Sequence, residues 1–357
     1  MELHRLWLSD FRNYEQADLQ IAPGGLTVIE GDNGSGKTSL LEAIGYLASL
    51  GSFRAAPREA LVRRGAPAAT VRAEASRGGR PLLLETEIRV VGHDRVQVNR
   101  QPLRRVRDLL GAIQVTVFSP DDLSLVKGGP GERRRYLDDT LVSLHPRNDG
   151  LCSEVDRVLR QRAALLKQAG GRLSPEIEST LDVWDAKLAS AGGALADARA
   201  ELVTRLEPEV AKAYDQVAGT AAVTSARYVR SWEGPLADAL ADARQQDLRR
   251  GANTIGPQRD ELDLQLENLP ARTHASQGEQ RSLALALRLA SHGVREAAGG
   301  SPPVLLLDDV FSELDEDRAR ALVAHLPAGQ ALLTTTGDLP PGVEPELRVR
   351  VHDGRIL

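Results

Sequence analysis

The octapeptide Gly31-Asp32-Asn33-Gly34-Ser35-Gly36-Lys37-Thr38 stands between a short apolar strand, Leu26-Thr27-Val28-Ile29, and a segment with helical periodicity over 38–50. Its form is G-x-x-x-x-G-K-[ST], and between a strand and a helix that form is a P-loop. The spacing has a physical reason. Glycines let successive backbone N–H groups wrap a phosphate, and the helix N-terminus adds the positive end of its dipole. Lys37 reaches the β- and γ-phosphates, and the Thr38 hydroxyl can ligate Mg²⁺. Gly31, Asp32, Asn33, Gly34, Ser35, Gly36, Lys37, Thr38 and Ser39 are therefore the expected nucleotide-binding residues, with ATP and Mg²⁺ as cofactors. The fold consequence is an α/β architecture around a mostly parallel core sheet.

A P-loop needs an acid at the end of a neighbouring strand to hold the metal. Val304-Leu305-Leu306-Leu307-Asp308-Asp309 supplies it: four apolar residues suited to a strand buried on both faces, then two carboxylates. Asp308 is assigned to the metal, and Asp309 to catalysis as general base or water-positioning residue, together with Lys37. Adjacent residues on a strand point to opposite faces, so this division of labour requires the strand to end between them. Ser276-Gln277-Gly278-Glu279 opens a helix over 277–297 and carries the spacing of a capping box.

Composition bounds the rest. At 357 residues the chain has room for about two domains. The expected division is a discontinuous head, 1–127 and 251–357, with an all-helical lobe over 128–250 built from helices at 132–144, 151–168 and 175–218, the last broken near Gly192-Gly193. Strands are expected at 3–8, 17–21, 81–91, 95–98, 113–118, 262–266, 304–307 and 331–335, and a helix at 315–325. No apolar run approaches the roughly 18 residues of a membrane span, and the acid at Glu2 does not suit a signal peptide. One cysteine, Cys152, excludes an internal disulfide, which fits a reducing cytoplasm. Its expected place is as a small buried hydrophobe. Net charge is −5, yet residues 51–107 hold 13 Arg against 5 acids. Such a stretch is either a solvated face or a set of phosphate contacts. With 3% aromatic residues, a surface built on base stacking is disfavoured.

The order of Ser276, one helix, then Asp308 resembles the signature arrangement of ABC-type ATPases, L-S-G-G-Q, although Ala275-Ser276-Gln277-Gly278-Glu279 differs at the Leu, the first Gly and the Gln. Ser312-Glu313-Leu314-Asp315 looks like the D-loop of that class. A narrower resemblance follows. Leu8-Ser9-Asp10-Phe11-Arg12-Asn13-Tyr14, Ser52-Phe53-Arg54, Val117-Phe118-Ser119-Pro120-Asp121-Asp122-Leu123, Gly131-Glu132-Arg133-Arg134-Arg135-Tyr136-Leu137-Asp138 and Gly256-Pro257-Gln258-Arg259-Asp260-Glu261-Leu262 resemble blocks of the bacterial recombination-mediator RecF family, in family order.

The resemblance implies an ABC/SMC-like head without a long coiled coil. It implies a weak, DNA-dependent ATPase that dimerises on ATP, binds double-stranded DNA or single-strand/duplex junctions at gaps, and loads RecA with RecO and RecR. Ser276, Gln277 and Gly278 would face the γ-phosphate held by a second copy, and Arg12 and Asn13 would approach the nucleotide. With the resemblance, Arg54, Arg58, Arg63, Arg64, Arg104, Arg105 and Arg107 become the expected DNA contacts. Arg133-Arg134-Arg135 reads instead as local ion pairing with Glu132, Asp138 and Asp139. The Q-loop glutamine has no clear position; 114–122 is the nearest region and offers acids. The switch histidine position after 331–335 holds Thr335-Thr336-Gly337-Asp338, and Asp309 replaces the usual Glu, which implies slow hydrolysis. The rival readings are a P-loop kinase or metabolic ATPase acting on a small molecule, and a structural chromosome-organising SMC-like head.

Overall fold

The computed structural model of the chain describes residues 1–219 and 221–357, with Glu313 described by its backbone alone. The chain divides into two units: Met1–Leu123, Lys212–Ala221 and Arg281–Leu357 form the first, Ser124–Ala211 and Ala222–Gln280 the second.

The first unit is organised by a six-stranded sheet in the order Arg355–Ile356, Leu347–His352, Leu26–Glu30, Ala331–Thr335, Val304–Asp308, Val115–Phe118. All its pairings are parallel except the terminal hairpin. Val304–Asp308 and Ala331–Thr335 are buried at every position, as continuous apolar runs in a covered parallel sheet require. Leu26–Glu30 feeds the P-loop, and the helix Lys37–Ser49 returns along the sheet with Leu40, Leu41, Ile44 and Leu47 fully buried.

A second six-stranded sheet, antiparallel throughout, runs in the order Tyr14–Gln20, Glu2–Phe11, Ala68–Arg77, Arg80–Arg89, Arg95–Val98, Gln101–Pro102. Leu3, Leu6, Leu8, Val71 and Ala73 point from it into the core that contains the P-loop helix. Besides the two-residue strands Gln101–Pro102 and Arg355–Ile356, one strand of each sheet escapes the sequence reading. Ala68–Arg77 places mainly Ala on its inner face, a weak period-2 signal, and Leu347–His352 alternates Arg with Val.

The second unit contains Pro130–Leu144, Asn148–Ala169, most of Pro175–Ala218, and Leu236–Arg250. It is not all-helical. Glu261–Leu266 pairs antiparallel with Thr224–Val229 and with Leu269–Pro270 in a three-stranded sheet. That pairing carries the unit to Gln280 rather than to 250, and it begins at Ser124 rather than 128. The 44-residue helix Pro175–Ala218 runs unbroken through Gly192-Gly193. A Cβ on Gly192 would stand 3.1 Å from Leu236 and 3.2 Å from Pro257, so the glycine there serves close packing instead of a break. Cys152 is half-buried rather than buried, and desolvation pushes its thiol up to about 12, where it is unreactive.

The local ion pairing expected of Arg133-Arg134-Arg135 is seen at Arg135, 3.2 Å from Glu132. Arg133 makes a bidentate pair with Glu261 at 2.7 and 2.8 Å, and Arg134 donates to the Asp260 carbonyl at 2.8 Å. Asp138 pairs with Arg199 at 2.7 Å. Two of the sequence blocks quoted above thus meet in the core of this unit, a long-range contact that spacing along one helix does not reveal.

Candidate functional site

The loop 31–36 leaves the C-terminal end of Leu26–Glu30, the end of a parallel strand at which open α/β sheets bind ligands. Gly36 sits at φ 116, and a Cβ there would come within 2.6 Å of Asn13 Nδ2 and 2.9 Å of the Tyr14 ring, so only glycine fits. Lys37 is 6% exposed and donates to the Gly31 and Asp32 carbonyls at 2.8 and 2.9 Å. Burial lowers its ammonium pKa, while Asp309, Asp308 and Asp32 push it back up. The Ser35 hydroxyl is buried and has no hydrogen-bond partner among the described residues.

Beside this loop lies a cavity of about 680 Å³ whose lining includes Asn33, Gly34, Gly36, Lys37, Thr38 and Ser39. Thr38 Oγ1 donates to Asp308 Oδ1 at 2.8 Å, and Thr334 Oγ1 donates to the same oxygen at 2.8 Å. Asp308 is 7% exposed, and desolvation raises its pKa against the two hydroxyl donors and the charge of Arg54. The strand does end between the two acids. Asp309 adopts φ 47, its N–H donates to Thr334 Oγ1 at 3.0 Å, and it lines the cavity.

Thr334 went unread in the sequence; the parallel register Asp308↔Thr334 is what brings it to the site. A second omission is Glu42, the only charged residue of 38–50, whose side chain is fully buried. It accepts from Arg12 Nε and Nη2 at 2.6 and 2.5 Å and from the Ser52 hydroxyl. Arg12 also donates to the Ala60 carbonyl at 2.8 Å, and Asn13 Nδ2 donates to the Ser35 carbonyl at 3.0 Å. Both residues line the cavity, and both brace its wall.

Ser276, Gln277 and Gly278 are not among the residues lining this cavity; they belong to the second unit. There the capping box is formed: Glu279 Oε2 accepts from Ser276 N at 2.7 Å, and Ser276 Oγ accepts from Glu279 N at 3.3 Å. Asp315 caps the helix Glu316–His325, and Ser312 Oγ donates to the Asp309 carbonyl at 2.8 Å. The Glu313 side chain lies outside the described residues. In the region considered for a Q-loop, Asp122 is ion-paired with Arg288 at 2.6 Å, and neither Gln114 nor Asp122 lines the cavity.

The seven arginines expected on DNA divide three ways. Arg54 and Arg64 line the nucleotide cavity. Arg58 is held by Asp94 at 2.9 Å and by the Arg89 and Gly92 carbonyls, and Arg63 by Asp10 at 2.6 Å. Arg104, Arg105 and Arg107 remain exposed.

The donor set suits Mg²⁺ with a nucleotide: one hydroxyl and one carboxylate in contact, beside a phosphate-wrapping loop. Among the described residues no group of three His, Cys, Asp or Glu side chains forms a metal cage, so phosphate oxygens would complete such a sphere.

Residues 2–331 match the RecF/RecN/SMC N terminal domain. The chain is 43% identical to the DNA replication and repair protein RecF of Renibacterium salmoninarum over 98% of both chains. It is 43% identical to that of Streptomyces avermitilis over 100% of this chain and 99% of the relative. A solved structure of the recombination mediator protein RecF with ATP in the RecFOR pathway superposes with a TM-score of 0.91 at 27% identity, covering 100% of this chain and 97% of that one. An SMC head bound to the C-winged helix domain of ScpA shares the fold alone, at TM-score 0.58 and 16% identity. Matched by that family model over 2–331 and 43% identical to RecF proteins over nearly its whole length, the chain belongs to the RecF family.

Proposed function

We propose that the chain is an ATP-binding ATPase of DNA replication and repair that works as a recombination mediator, using ATP as a switch. The observation that carries this reading is the 2.8 Å contact between Thr38 of the P-loop and Asp308 on the neighbouring strand, at a cavity that Lys37 and Asp309 also line. Thr38 and Asp308 would hold Mg²⁺, which would supply neutralisation of phosphate charge. The P-loop amides and Lys37 position the phosphates and meet the charge that develops on them. Asp309 orients the attacking water and accepts its proton; an acid one methylene shorter than Glu reaches less far, which supports slow turnover.

Two ATP molecules are sandwiched between two copies, each P-loop opposed by Ser276, Gln277 and Gly278 of the other. Duplex or gapped DNA is the ligand of the ATP-bound dimer, RecO and RecR its partners, and RecA loading the outcome. The site of action is the cytoplasm, at the nucleoid. Among the described residues no helix is long and apolar enough to cross a membrane.

ATP turnover measured with and without gapped DNA across a salt series, on the unmodified chain and on Lys37→Met, tests the reading. Stimulation at low salt that fades with salt and vanishes in Lys37→Met is expected; no stimulation at low salt overturns the DNA assignment. Ser276→Arg separates this reading from a small-molecule kinase. It should leave ATP binding by the monomer intact and abolish ATP-dependent dimerisation in light scattering, whereas an unchanged dimer removes the sandwich.

A further inference from the structure

The P-loop is held from behind by the C-terminal end of the chain. Leu347–His352 runs parallel to Leu26–Glu30, with Val349 opposite Ile29 and Arg350 opposite Glu30, so it follows the strand that leads into the loop. It then turns through Asp353 and Gly354 into Arg355–Ile356, with His352 paired to Arg355. Asp353 and Gly354 have φ 45 and 69, the two-residue turn with both central residues at positive φ that Asp-Gly favours.

The hairpin that this turn closes touches the P-loop at two points. Gly354 N–H donates to the Ser35 carbonyl at 2.9 Å, the same oxygen that receives Asn13 Nδ2 at 3.0 Å. At the other end, a Cβ on Gly31 would stand 2.2 Å from the Val351 carbonyl oxygen. The turn is itself in close quarters, since a Cβ on Gly354 would stand 2.5 Å from the Asn13 carbonyl oxygen. A loop that presents its N–H groups inward to an anion must turn carbonyls outward, and a buried outward carbonyl needs a donor. Gly354 and Asn13 are the donors for Ser35.

We infer that the Asp353-Gly354 turn is a positioning element of the nucleotide site: it keeps the P-loop in its anion-binding shape through the Ser35 carbonyl, while the strand that leads into the turn packs the Val351 carbonyl against Gly31. The inference rests on the reading that this loop holds ATP. A loop held in shape beforehand loses less freedom on binding, so loosening the turn weakens affinity without altering the groups that do the chemistry.

Gly354→Asn tests this in the full-length chain. Asn tolerates positive φ, so the turn survives, but its Cβ cannot stand beside the Asn13 carbonyl. Asp353→Asn keeps both the turn and the contact and is the control. Gly354→Asn is expected to weaken binding of a fluorescent ATP analogue about tenfold or more, to raise KM, and to leave kcat at saturating ATP within about twofold. Its melting temperature without nucleotide should match that of the control. Unchanged affinity, or a loss matched by an equal fall in nucleotide-free melting temperature, overturns the inference. Hydrogen exchange on the unmodified chain gives a second readout: ATP should slow exchange in 347–357 together with 31–38. Protection confined to 31–38 overturns it. An unmodified chain that binds no ATP analogue removes the ATP reading, and this inference with it.

Discussion

Arginine is used in opposite ways at two places in the molecule: the carboxylate network inside the second unit, and Arg54 and Arg64 at the P-loop cavity of the first, where Arg12, Arg58 and Arg63 are ion-paired. In the second unit arginines are buried and spent on carboxylates: Arg162 is 0% exposed and bonds Asp185, Asp247 and Asn253, while Arg133 and Arg199 make bidentate pairs with Glu261 and Asp138. In the first unit Arg54 and Arg64 line the cavity beside the P-loop, with no ion pair to either among the described residues. Guanidinium groups already bonded to carboxylates hold elements together and offer nothing to an incoming phosphate. Those left unpaired at a cavity mouth are available to one.

The largest expected effect breaks the paired side. Arg162→Met leaves Asp247, which is 0% exposed, without its charge partner, and should cost the second unit about 3–5 kcal/mol in denaturant unfolding. Replacing Arg162, Asp185 and Asp247 together by apolar residues of similar volume should recover most of that. A single variant within about 0.5 kcal/mol of the parent would show that the network contributes little.

The unpaired side is tested by Arg54→Gln and Arg64→Gln. Each should lower nucleotide affinity by about tenfold, equivalent to about 1.4 kcal/mol, with melting of the nucleotide-free chain unchanged. Equal losses of stability and affinity would place these two residues with the structural arginines and erase the contrast.

The contrast extends to acids. Asp308 is buried with its pKa raised by desolvation, so it favours the folded state while protonated, at low pH, and that contribution is lost as pH rises through its raised value. At neutral pH its charge is therefore a cost to the fold that serves the ligand. Asp308→Asn should raise the melting temperature of the nucleotide-free chain by a few degrees at pH 7, with the gain shrinking toward pH 4, and should abolish Mg²⁺-dependent turnover. A variant less stable at pH 7 would show that the hydroxyl bonds from Thr38 and Thr334 outweigh the desolvation.

What could be read from the sequence follows the same division. The P-loop, Asp308 and Asp309 were legible because each is a local string with a chemical reason for its spacing. Thr334, Glu42 and Gly354 were not, because each matters through a partner far away in the chain: Asp308 across a parallel register, Arg12 in the turn after the first strand, Ser35 in the P-loop. The inserted unit was read as helical from the Ala and Leu periodicity of its long segments. Its sheet pairs Thr224–Val229 with Glu261–Leu266, two short strands separated by the helix Leu236–Arg250, a pairing that no local pattern announces. The same limit explains the arginine cluster. Charge counted along 51–107 cannot distinguish Arg63, bonded to Asp10, from Arg64, which faces the cavity.

The smallest expected effect concerns the remainder of that cluster. Arg104 and Arg105 are exposed and free of side-chain ion pairs among the described residues, so of the original seven they are the best placed to meet a DNA backbone. A contact of this kind is sequence-independent and screened by salt, and each phosphate contact removed should lower the slope of log affinity against log salt by about 1. Arg104→Gln with Arg105→Gln should therefore weaken binding of gapped DNA severalfold at low salt, flatten the salt slope by about 2, and leave ATP affinity untouched. The opposite pattern, an unchanged slope with weaker ATP binding, would mean that the basic stretch serves the nucleotide throughout and that DNA is met by another surface.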